Sequence, residues 1–340
     1  MKNHLKKIVR YENEWEKNNF AFNLDQNERN YNFQKEFFNK FLSSISENDI
    51  RFYPNTKLLK KKLGEYHNIS SKKIMLTPGS DIAIKTFYEL FDLKGYNIIT
   101  SDYCFPMYKV YADLYQADIR YAIYKNLKLN ITSIIEKIDN NTKFIILANP
   151  NSPLGDSFTV KEIELLLKTK LPVFIDEAYI ELSNKKSCVK LVKKYKNLFI
   201  AKTFSKGFGA AGLRCGYIIT SEKNIQLLSK FRFMYEVNSF AVTFCTHILN
   251  NISLFQKYFS ETLTYKNKLV KELEKDFSIF NTDSSWFFIE RTNKLEKIFK
   301  KNKVKLKTLK LPLNEKTFYK FNYDLSIRGS KFENQLLNEN

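Results

Sequence analysis

The stretch that decides the fold is Thr203-Phe204-Ser205-Lys206-Gly207-Phe208, followed by Gly212-Leu213-Arg214. An apolar run, Leu198-Phe199-Ile200-Ala201, comes directly before it and is typical of a buried strand. We therefore expect Lys206 just beyond a strand end, where parallel-sheet proteins place their ligand sites. The hydroxyl groups one and three residues before this lysine, and the arginine eight residues after it, could bind a phosphate and leave the amine free for carbonyl chemistry.

An anion site beside a reactive amine is what pyridoxal phosphate requires of a protein. A chain with 56 lysines and arginines also places some of them beside Ser and Thr by chance, so this stretch alone leaves both interpretations open. The choice between them depends on what the other strand ends carry.

The length and composition of the chain exclude several classes of protein. A chain of 340 residues favours two lobes or one large α/β domain with an appendage. No apolar run is long enough to cross a membrane, and the first residues lack the apolar core of a signal peptide, so we expect a cytoplasmic protein. The four cysteines include no Cys-x-x-Cys pair and the three histidines form no ligand cluster, so reduced thiols and no metal are expected.

The formal net charge of +20 would suit nucleic acid, a membrane surface or phosphorylated small molecules. The lysines are nevertheless spread along the chain, whereas a binding face requires them to cluster. The densest runs, Lys60-Lys61-Lys62 and Lys300-Lys301-Asn302-Lys303, fit exposed helix faces and turns. We interpret the charge as a solvated surface, and we expect neither nucleic acid nor a membrane as a partner.

Strand-like and helix-like segments alternate along the chain after a short extended piece at residues 20–24. Strands are predicted at residues 74–77, 97–100, 119–123, 143–148, 172–176 and 198–201, and helices at 57–66, 82–91, 108–115, 132–138 and 159–167. Because the strand runs are apolar on both faces, this order predicts an α/β fold with a mostly parallel sheet covered by helices. Farther along, helices are predicted at 224–233 and 240–277, the second broken near Asn250-Asn251, and strands at 286–290 and 321–327.

Four turns after predicted strands carry polar or aromatic side chains. Gly79-Ser80-Asp81 precedes a predicted helix and allows two interpretations. Either the free N–H groups of the first helical turn bind an anion, or the side chain of Ser80 or Asp81 caps the helix. The other turns are Ser101-Asp102-Tyr103-Cys104-Phe105-Pro106, Asn149-Pro150-Asn151-Ser152-Pro153-Leu154-Gly155 and Asp176-Glu177-Ala178-Tyr179. With Lys206 they offer an anion cradle, a flat ring, an acid and an amine, which match the parts of one cofactor.

These motifs and their order resemble those of the fold-type I PLP (pyridoxal phosphate) aminotransferases, the class I/II aminotransferases. Within that superfamily the chain is most similar to the histidinol-phosphate aminotransferase family. The resemblance extends over about residues 20–330 and rests on Phe52-Tyr53-Pro54 together with the motifs at 79–81, 149–155, 176–179 and 203–214.

This resemblance implies an aspartate-aminotransferase-like architecture. We expect a PLP-binding large domain at residues 46–221, a smaller α+β C-terminal domain at 222–340, and an N-terminal segment, 1–45, that packs with the small domain. The same resemblance implies a homodimer with shared active sites, because Tyr53 is similar to a tyrosine that reaches the phosphate of the neighbouring subunit's cofactor.

The resemblance also implies the roles of individual residues. Lys206 would carry PLP as a Schiff base and move the substrate proton, Asp176 would pair with the pyridine nitrogen, and Tyr179 would hydrogen-bond the ring hydroxyl. The substrate-binding candidates are Asn27, Asn238 and Arg328. The implied cofactor-binding residues are Tyr53, Ser80, Asp81, Phe105, which would stack on the ring, Asn151, Ser152, Asp176, Tyr179, Thr203, Ser205, Lys206 and Arg214.

Two positions depart from the family pattern. Ser152 replaces an asparagine that binds the ring hydroxyl, and since a serine donates only one hydrogen bond, this contact is either lost or made by Asn151. Ser326 stands where the family has an arginine that binds a substrate carboxylate or phosphate. Arg328 lies two residues on, hence on the same face of the predicted strand, and either replaces that arginine or is a surface residue.

The resemblance implies a transaminase that moves an amino group between glutamate or 2-oxoglutarate and a small phosphorylated substrate. That substrate would be similar to histidinol phosphate, or a three-carbon keto phosphate such as dihydroxyacetone phosphate, which would give serinol phosphate for capsule or polysaccharide biosynthesis. A PLP-dependent decarboxylase of serine phosphate or threonine phosphate is an alternative, because the same fold and cofactor serve both reactions. A basic nucleic-acid-binding protein is a second alternative, which leaves the ordered motifs unexplained.

Overall fold

The N-terminal part of the fold contains a short strand followed by α-helices. The computed structural model describes residues 3–9, 20–311 and 316–338. The elements are β1 (Phe22–Asn23), α1 (Lys35–Ser44), α2 (Asn48–Arg51) and α3 (Lys57–His67). The extended piece predicted at residues 20–24 is confirmed as β1, and α2 ends before Pro54, because a proline disfavours helix in the residue that precedes it.

A seven-stranded sheet forms the centre of the molecule and confirms the predicted α/β class. Its strands are β2 (Ile74–Thr77), β3 (Asn97–Ser101), β4 (Asp118–Ala122), β5 (Thr142–Ala148), β6 (Val173–Asp176), β7 (Leu198–Thr203) and β8 (Gly216–Ile219). They lie in the order β2-β8-β7-β6-β5-β3-β4. The pairs of this sheet are parallel except those of β8, a strand that the sequence analysis missed and that runs antiparallel to both of its neighbours.

The apolar residues of one strand alternate between the two faces of this sheet and build a core on each face. In β5, Phe144 and Ile146 belong to one buried cluster, whereas Ile145 and Leu147 belong to the other. Burial of each such side chain contributes about 1.5–3 kcal/mol relative to exposure. Because both faces of the sheet are buried, the strands are apolar at nearly every position. Polar groups are therefore placed at the ends of the strands.

Helices cover both faces of the sheet. They are α4 (Gly79–Tyr88), α5 (Pro106–Tyr115), α6 (Ile131–Ile135), α7 (Val160–Leu167) and α8 (Glu222–Leu228). Thr159 and Glu162 form a capping box that starts α7. The predicted start of α4 at residue 82 is wrong, because Gly79 adopts a φ of +81° that lets the helix begin directly at the strand end.

A second, antiparallel sheet and four helices form the C-terminal part that the structure describes. The elements are α9 (Ser239–Asn250), α10 (Ile252–Leu273), β9 (Ile279–Asn281), β10 (Trp286–Glu290), α11 (Asn293–Lys301), β11 (Val304–Lys305), β12 (Lys307–Lys310), β13 (Thr317–Asn322) and α12 (Lys331–Asn338). The sheet order is β12-β13-β10-β9, and β1 pairs separately with β11. This small antiparallel sheet confirms the α+β character expected of the C-terminal part, and the helix break near Asn251 is also confirmed.

The strand predicted at residues 321–327 is wrong in its extent. Strand β13 ends at Asn322, and the Asp324 side chain accepts a hydrogen bond from the Ser326 backbone N–H, 2.9 Å away, which turns the chain. Arg328 and Ser326 therefore do not share a strand face, which removes the reason for expecting Arg328 to replace the family arginine.

We predict that Gly216→Ala destabilises the protein by about 2 kcal/mol, because an added Cβ would lie 2.6 Å from the backbone carbon of Gly79 and force β8 away from α4. Gly212→Ala is the matched control, since a Cβ there meets no atom within 4 Å, and its free energy of unfolding should stay within about 0.5 kcal/mol of the parent. Urea denaturation measures both values. Equal effects of the two substitutions would contradict this account of the close approach.

Candidate active site

Lys206 lies just beyond the carboxyl end of β7, as the sequence predicts. Its side chain is half-buried, and its amine donates a hydrogen bond to the backbone carbonyl of Gln26, with an Nζ–O distance of 2.8 Å. The amine also lies 5.7 Å from the centre of the Tyr179 ring. The N-terminal segment therefore covers the amine, and the neutral carbonyl of Gln26 holds its position.

Asp176 is the last residue of β6 and is buried. One carboxylate oxygen accepts a hydrogen bond from the Ala178 backbone N–H at 3.1 Å, and the other accepts one from the Tyr108 hydroxyl at 3.2 Å. Burial raises the pKa of Asp176 to about 6, although these two hydrogen bonds oppose the shift. A cation placed against this carboxyl group would favour its ionised form.

Arg214, Ser205 and the start of α4 form an anion cradle. The Arg214 guanidinium donates to the Ser205 hydroxyl at 3.2 Å and packs against Gly79, where an added Cβ would lie 2.6 Å from its Nη2. The Thr203 hydroxyl accepts a hydrogen bond from the Ser205 backbone N–H at 3.1 Å, which fixes this turn. Three elements thus direct donors to one place, the arrangement that binds a phosphate.

The capping interpretation of Ser80 and Asp81 does not fit the start of α4. The helix has no side-chain cap, and the Asp81 carboxylate instead accepts a hydrogen bond from the Tyr111 hydroxyl at 2.9 Å. The first-turn N–H groups of α4 therefore have no cap from a side chain, which favours the anion-binding interpretation.

A chain of polar contacts joins Tyr179 to the second sheet. The Asn27 amide donates to the Tyr179 hydroxyl at 2.9 Å, and its oxygen accepts a hydrogen bond from the Lys320 amine at 3.2 Å. Lys320 lies in β13 with an exposed fraction of 4%, and its amine is 4.0 Å from the centre of a Trp286 ring. Burial, together with the charges of Lys206 and Lys307, holds the pKa of Lys320 well below its usual value.

The loop at residues 149–155 is held by hydrogen bonds within it and to neighbouring parts of the fold. The Asn151 amide donates to the Tyr103 carbonyl at 2.8 Å, and its oxygen accepts from the Leu154 N–H at 2.9 Å. The Trp286 indole N–H donates to the Pro153 carbonyl at 2.9 Å and ties the loop to β10. Both ends of the Asn151 amide are thus engaged, one by Tyr103 outside the loop and one by Leu154 within it, whereas the neighbouring Ser152 is half-buried.

Four of the predicted site residues have contacts outside the group around Lys206. Tyr53 is 75% exposed and stacks on Tyr235. Asn238 caps α9, and Phe105 packs edge to face on Tyr108 with ring centroids 5.9 Å apart. The Arg328 guanidinium is on the exposed surface, 3.7 Å from the centre of the Tyr265 ring.

Sequence reasoning missed Lys320, Tyr108 and a buried ion cluster below Lys206. The cluster consists of Lys202 with Glu177 at 3.2 Å and Glu181 at 2.8 Å. Burial alone would lower the pKa of Lys202, but the two carboxylates outweigh burial and raise it. A lysine inside an apolar strand was the available signal for both Lys202 and Lys320.

The fold and the site define a class of enzyme, and comparisons with known proteins give the same class. A family model for class I and II aminotransferases matches residues 21–319. The chain therefore belongs to this family, and it is a PLP-dependent transaminase. This assignment favours the enzyme over the alternative of a basic nucleic-acid-binding protein.

Within the family the chain is similar to histidinol-phosphate aminotransferases. It is 30% identical over 326 residues to that enzyme from Clostridium novyi, covering 93% of this chain and 89% of the relative. It is 33% identical to the one from Christiangramia forsetii, over 72% of each chain.

Solved structures share the fold at lower identity. The histidinol-phosphate aminotransferase from Sinorhizobium meliloti, crystallised with pyridoxal-5'-phosphate, gives a TM-score of 0.80 at 16% identity, covering 94% of this chain and 89% of that one. The L-threonine-O-3-phosphate decarboxylase from Porphyromonas gingivalis gives a TM-score of 0.76 at 18% identity, covering 93% of this chain and 96% of that one.

Among the described residues, no helix has the length and apolar character needed to span a membrane.

We predict that Lys202→Met lowers the free energy of unfolding by about 3–5 kcal/mol, because it leaves two buried carboxylates without their cation. Lys194→Met is the matched control, since it removes an exposed lysine from Glu164 and should lower the free energy of unfolding far less. Thermal and urea denaturation measure both changes. If Lys202→Met lowers the free energy of unfolding no more than the control does, the buried ion cluster does not stabilise the fold.

Proposed function

We propose that this transaminase moves an amino group between glutamate or 2-oxoglutarate and a small phosphorylated substrate. The observation that carries the proposal is the meeting of a half-buried amine, Lys206, with a buried acid, Asp176, and an arginine cradle at one edge of the sheet. These groups fit PLP in number and kind, since the cofactor offers an aldehyde, a ring nitrogen, a ring hydroxyl and a phosphate.

The residues that would hold the phosphate come from three parts of the chain, which are the end of β7, the segment before β8 and the start of α4. Arg214 supplies charge, Ser205 supplies a hydroxyl group, and the first turn of α4 at Ser80 supplies free N–H groups. Thr203 shapes the turn, because its hydroxyl donates to the Cys215 carbonyl and accepts from the Ser205 N–H. The arrangement leaves no room for a side chain at Gly79, where Arg214 packs. Asp81, whose carboxylate is engaged by Tyr111, orients the turn.

The remaining residues would hold the ring and the reacting groups. Asp176 would face the ring nitrogen, Tyr179 would bind the ring hydroxyl, and Phe105 would pack on the ring face. When bound, PLP supplies an electron-accepting ring that stabilises negative charge on the substrate carbon. Lys206 would supply the amine that attaches the cofactor and would move a proton at the substrate, since its hydrogen-bond partner among the described residues is a neutral carbonyl.

Because Tyr103 and Leu154 engage both ends of the Asn151 amide, Tyr179 would make the ring-hydroxyl contact in place of the missing family asparagine, with Ser152 as the other donor available from the loop. Tyr179 is well placed for this, because Asn27 and an edge-to-face contact with Trp286, 5.0 Å between ring centroids, fix its orientation.

For the substrate anion we propose Lys320 in place of Arg328. Lys320 is a buried amine whose described partners are an amide oxygen and an aromatic face, and the nearest charges that act on it are two further lysines. Burying a cation without a counter-charge is unfavourable, so a bound carboxylate or phosphate would stabilise this arrangement. Arg328, in contrast, is exposed and packs on Tyr265.

The substrate class is supported by the cations at the site and by the similarity of the chain to histidinol-phosphate aminotransferases. Histidinol phosphate and a three-carbon keto phosphate such as dihydroxyacetone phosphate each carry one phosphate, which Lys320 would bind, while Arg214 would hold the phosphate of the cofactor. The departures at Ser152 and Ser326 favour the smaller keto phosphate, and with it serinol phosphate as product and a role in capsule or polysaccharide biosynthesis. The decarboxylase of similar fold shares less than a quarter of its residues with this chain and supports the fold alone.

A homodimer with shared sites would cover an exposed aromatic strip. Tyr53 is 75% exposed, Phe233 80% and Met234 78%, and Tyr53 stacks on Tyr235 with ring centroids 4.0 Å apart. Contiguous apolar side chains of this size are typical of an interface between chains. We propose that a second copy of the chain covers them and receives Tyr53 near its phosphate.

We predict that glutamate converts the absorbance of the bound cofactor to that of its amine form, and that Lys206→Ala lowers transamination by at least about 10³-fold. Lys223→Ala, at an exposed lysine, is the control and should leave the rate unchanged. The assay pairs glutamate with dihydroxyacetone phosphate and with imidazole acetol phosphate. Release of CO₂ from serine or threonine phosphate, without conversion by glutamate, would identify the protein as a decarboxylase instead.

We predict that Lys320→Met raises the KM of the anionic substrates by about 10- to 100-fold, because it removes a charge-assisted contact. Lys320→Arg, which keeps a cation, should recover part of this loss. If Arg328 binds the anion, the pattern reverses: Arg328→Met raises KM and Lys320→Met does not. Steady-state kinetics on the three variants decides between the two residues.

A further inference from the structure

Helix α5 directs two tyrosines, one turn apart, at two carboxylates of the candidate site. Tyr108 donates to Asp176 at 3.2 Å, and Tyr111 donates to Asp81 at 2.9 Å. Both tyrosines are buried, and their spacing of three residues places them on the same helix face. The proposed function assigns a role to each carboxylate but none to either phenol.

The surroundings of Asp176 give the Tyr108 hydrogen bond a specific effect. Burial and the neighbouring charges of Asp81 and Glu177 favour the protonated carboxyl, whereas the hydrogen bonds from Ala178 and Tyr108 favour the carboxylate. Each of the two donors occupies a different oxygen, so together they also fix the rotation of the carboxyl group. Without the Tyr108 hydroxyl, the Oδ2 atom of Asp176 would lose the hydrogen bond that it accepts from this residue.

Tyr108 is itself held firmly in place. Its backbone carbonyl accepts a hydrogen bond from the buried Tyr88 hydroxyl at 3.0 Å, and its ring packs edge to face against Phe105. Tyr108 therefore connects the ring proposed to pack on the cofactor with the acid proposed to face its nitrogen. Movement of α5 would displace both contacts together.

We propose that Tyr108 is a positioning residue for the cofactor, which acts through Asp176 by holding its carboxylate ionised and aimed at the ring nitrogen. The inference rests on the proposed role of Asp176. A merely structural Tyr108 would instead use its hydroxyl only to satisfy a buried polar group, and its loss would then lower stability without changing the cofactor site.

The test compares Tyr108→Phe with Tyr115→Phe. Tyr115 lies on the same helix and also donates to a carboxylate, Glu89 at 3.0 Å, but that carboxylate has no proposed part in the site. Titration of the cofactor-free variants with PLP, followed by absorbance and fluorescence, should give about tenfold weaker binding for Tyr108→Phe and unchanged binding for Tyr115→Phe. Equal affinities in the two variants would overturn the proposal.

A second readout needs no cofactor. The pKa of Asp176 is about 6 in the folded protein and about 3.9 in the unfolded chain. The folded state therefore loses stability as the pH rises from about 3.9 to about 6, because the carboxyl group gives up its proton over this range. Loss of the Tyr108 hydrogen bond raises the folded pKa further, so the decline extends to higher pH. The deficit in Tm of Tyr108→Phe should therefore be about 2 °C greater at about pH 8 than at about pH 5.

A double-mutant cycle with Asp176→Asn separates positioning from packing. In the Asp176→Asn background, Tyr108→Phe should cause little further loss of PLP affinity, because the residue acts through the carboxylate. If the losses of PLP affinity caused by the two substitutions are fully additive, Tyr108 does not act through Asp176. If the parent protein binds no PLP at all, the proposed function fails, whereas normal binding by Tyr108→Phe refutes only the role of Tyr108.

Discussion

The site depends on the parallel, in-register pairing of β5, β6 and β7. Ala148 pairs with Asp176, and Asp176 pairs with Ala201, so that three strands end side by side. The acid thus lies at the tip of the middle strand, and the chain that leaves β7 needs only a short turn to bring Lys206 beside it. A shift of one residue in this register would turn Asp176 to the opposite face of the sheet.

The central sheet supplies only part of the site. The Lys206 amine donates to a backbone carbonyl of the N-terminal segment, and the buried amine of Lys320 comes from the second sheet. Asn27, whose backbone has a φ of +53°, contacts both Tyr179 and Lys320 and so joins the two parts. Neighbouring β1 pairs with β11, which anchors the segment that carries Gln26 and Asn27 to the C-terminal part of the fold.

The sequence predicted correctly the strands whose apolar residues are also the residues buried in the folded protein. The strands β2 and β10 have the predicted bounds, because each is a short apolar run flanked by turn residues. Strand β8 was missed, and the C-terminal strand was placed too late, because Asp324 ends β13 through a local turn that the apolar pattern does not reveal.

For the site, sequence and resemblance drew attention to Lys206, Asp176 and Arg214, which lie at ends of the central sheet or just beyond them. They gave no indication of Tyr108 or Lys320, whose surroundings arise only from long-range packing. The domain boundaries and the roles of the site residues stay predictions. The part of the N-terminal segment at residues 10–19 lies outside the described residues.

The contacts that complete the site also join residues far apart in the chain. The hydrogen bond from Lys206 to Gln26 spans 180 positions, and the one from Lys320 to Asn27 spans 293. On the ribosome, the segment that carries Gln26 is made before the central sheet, and Lys320 is made after it. The two contacts therefore cannot both form while the sheet is being synthesised, and the candidate site receives its full set of groups only after Lys320 has emerged.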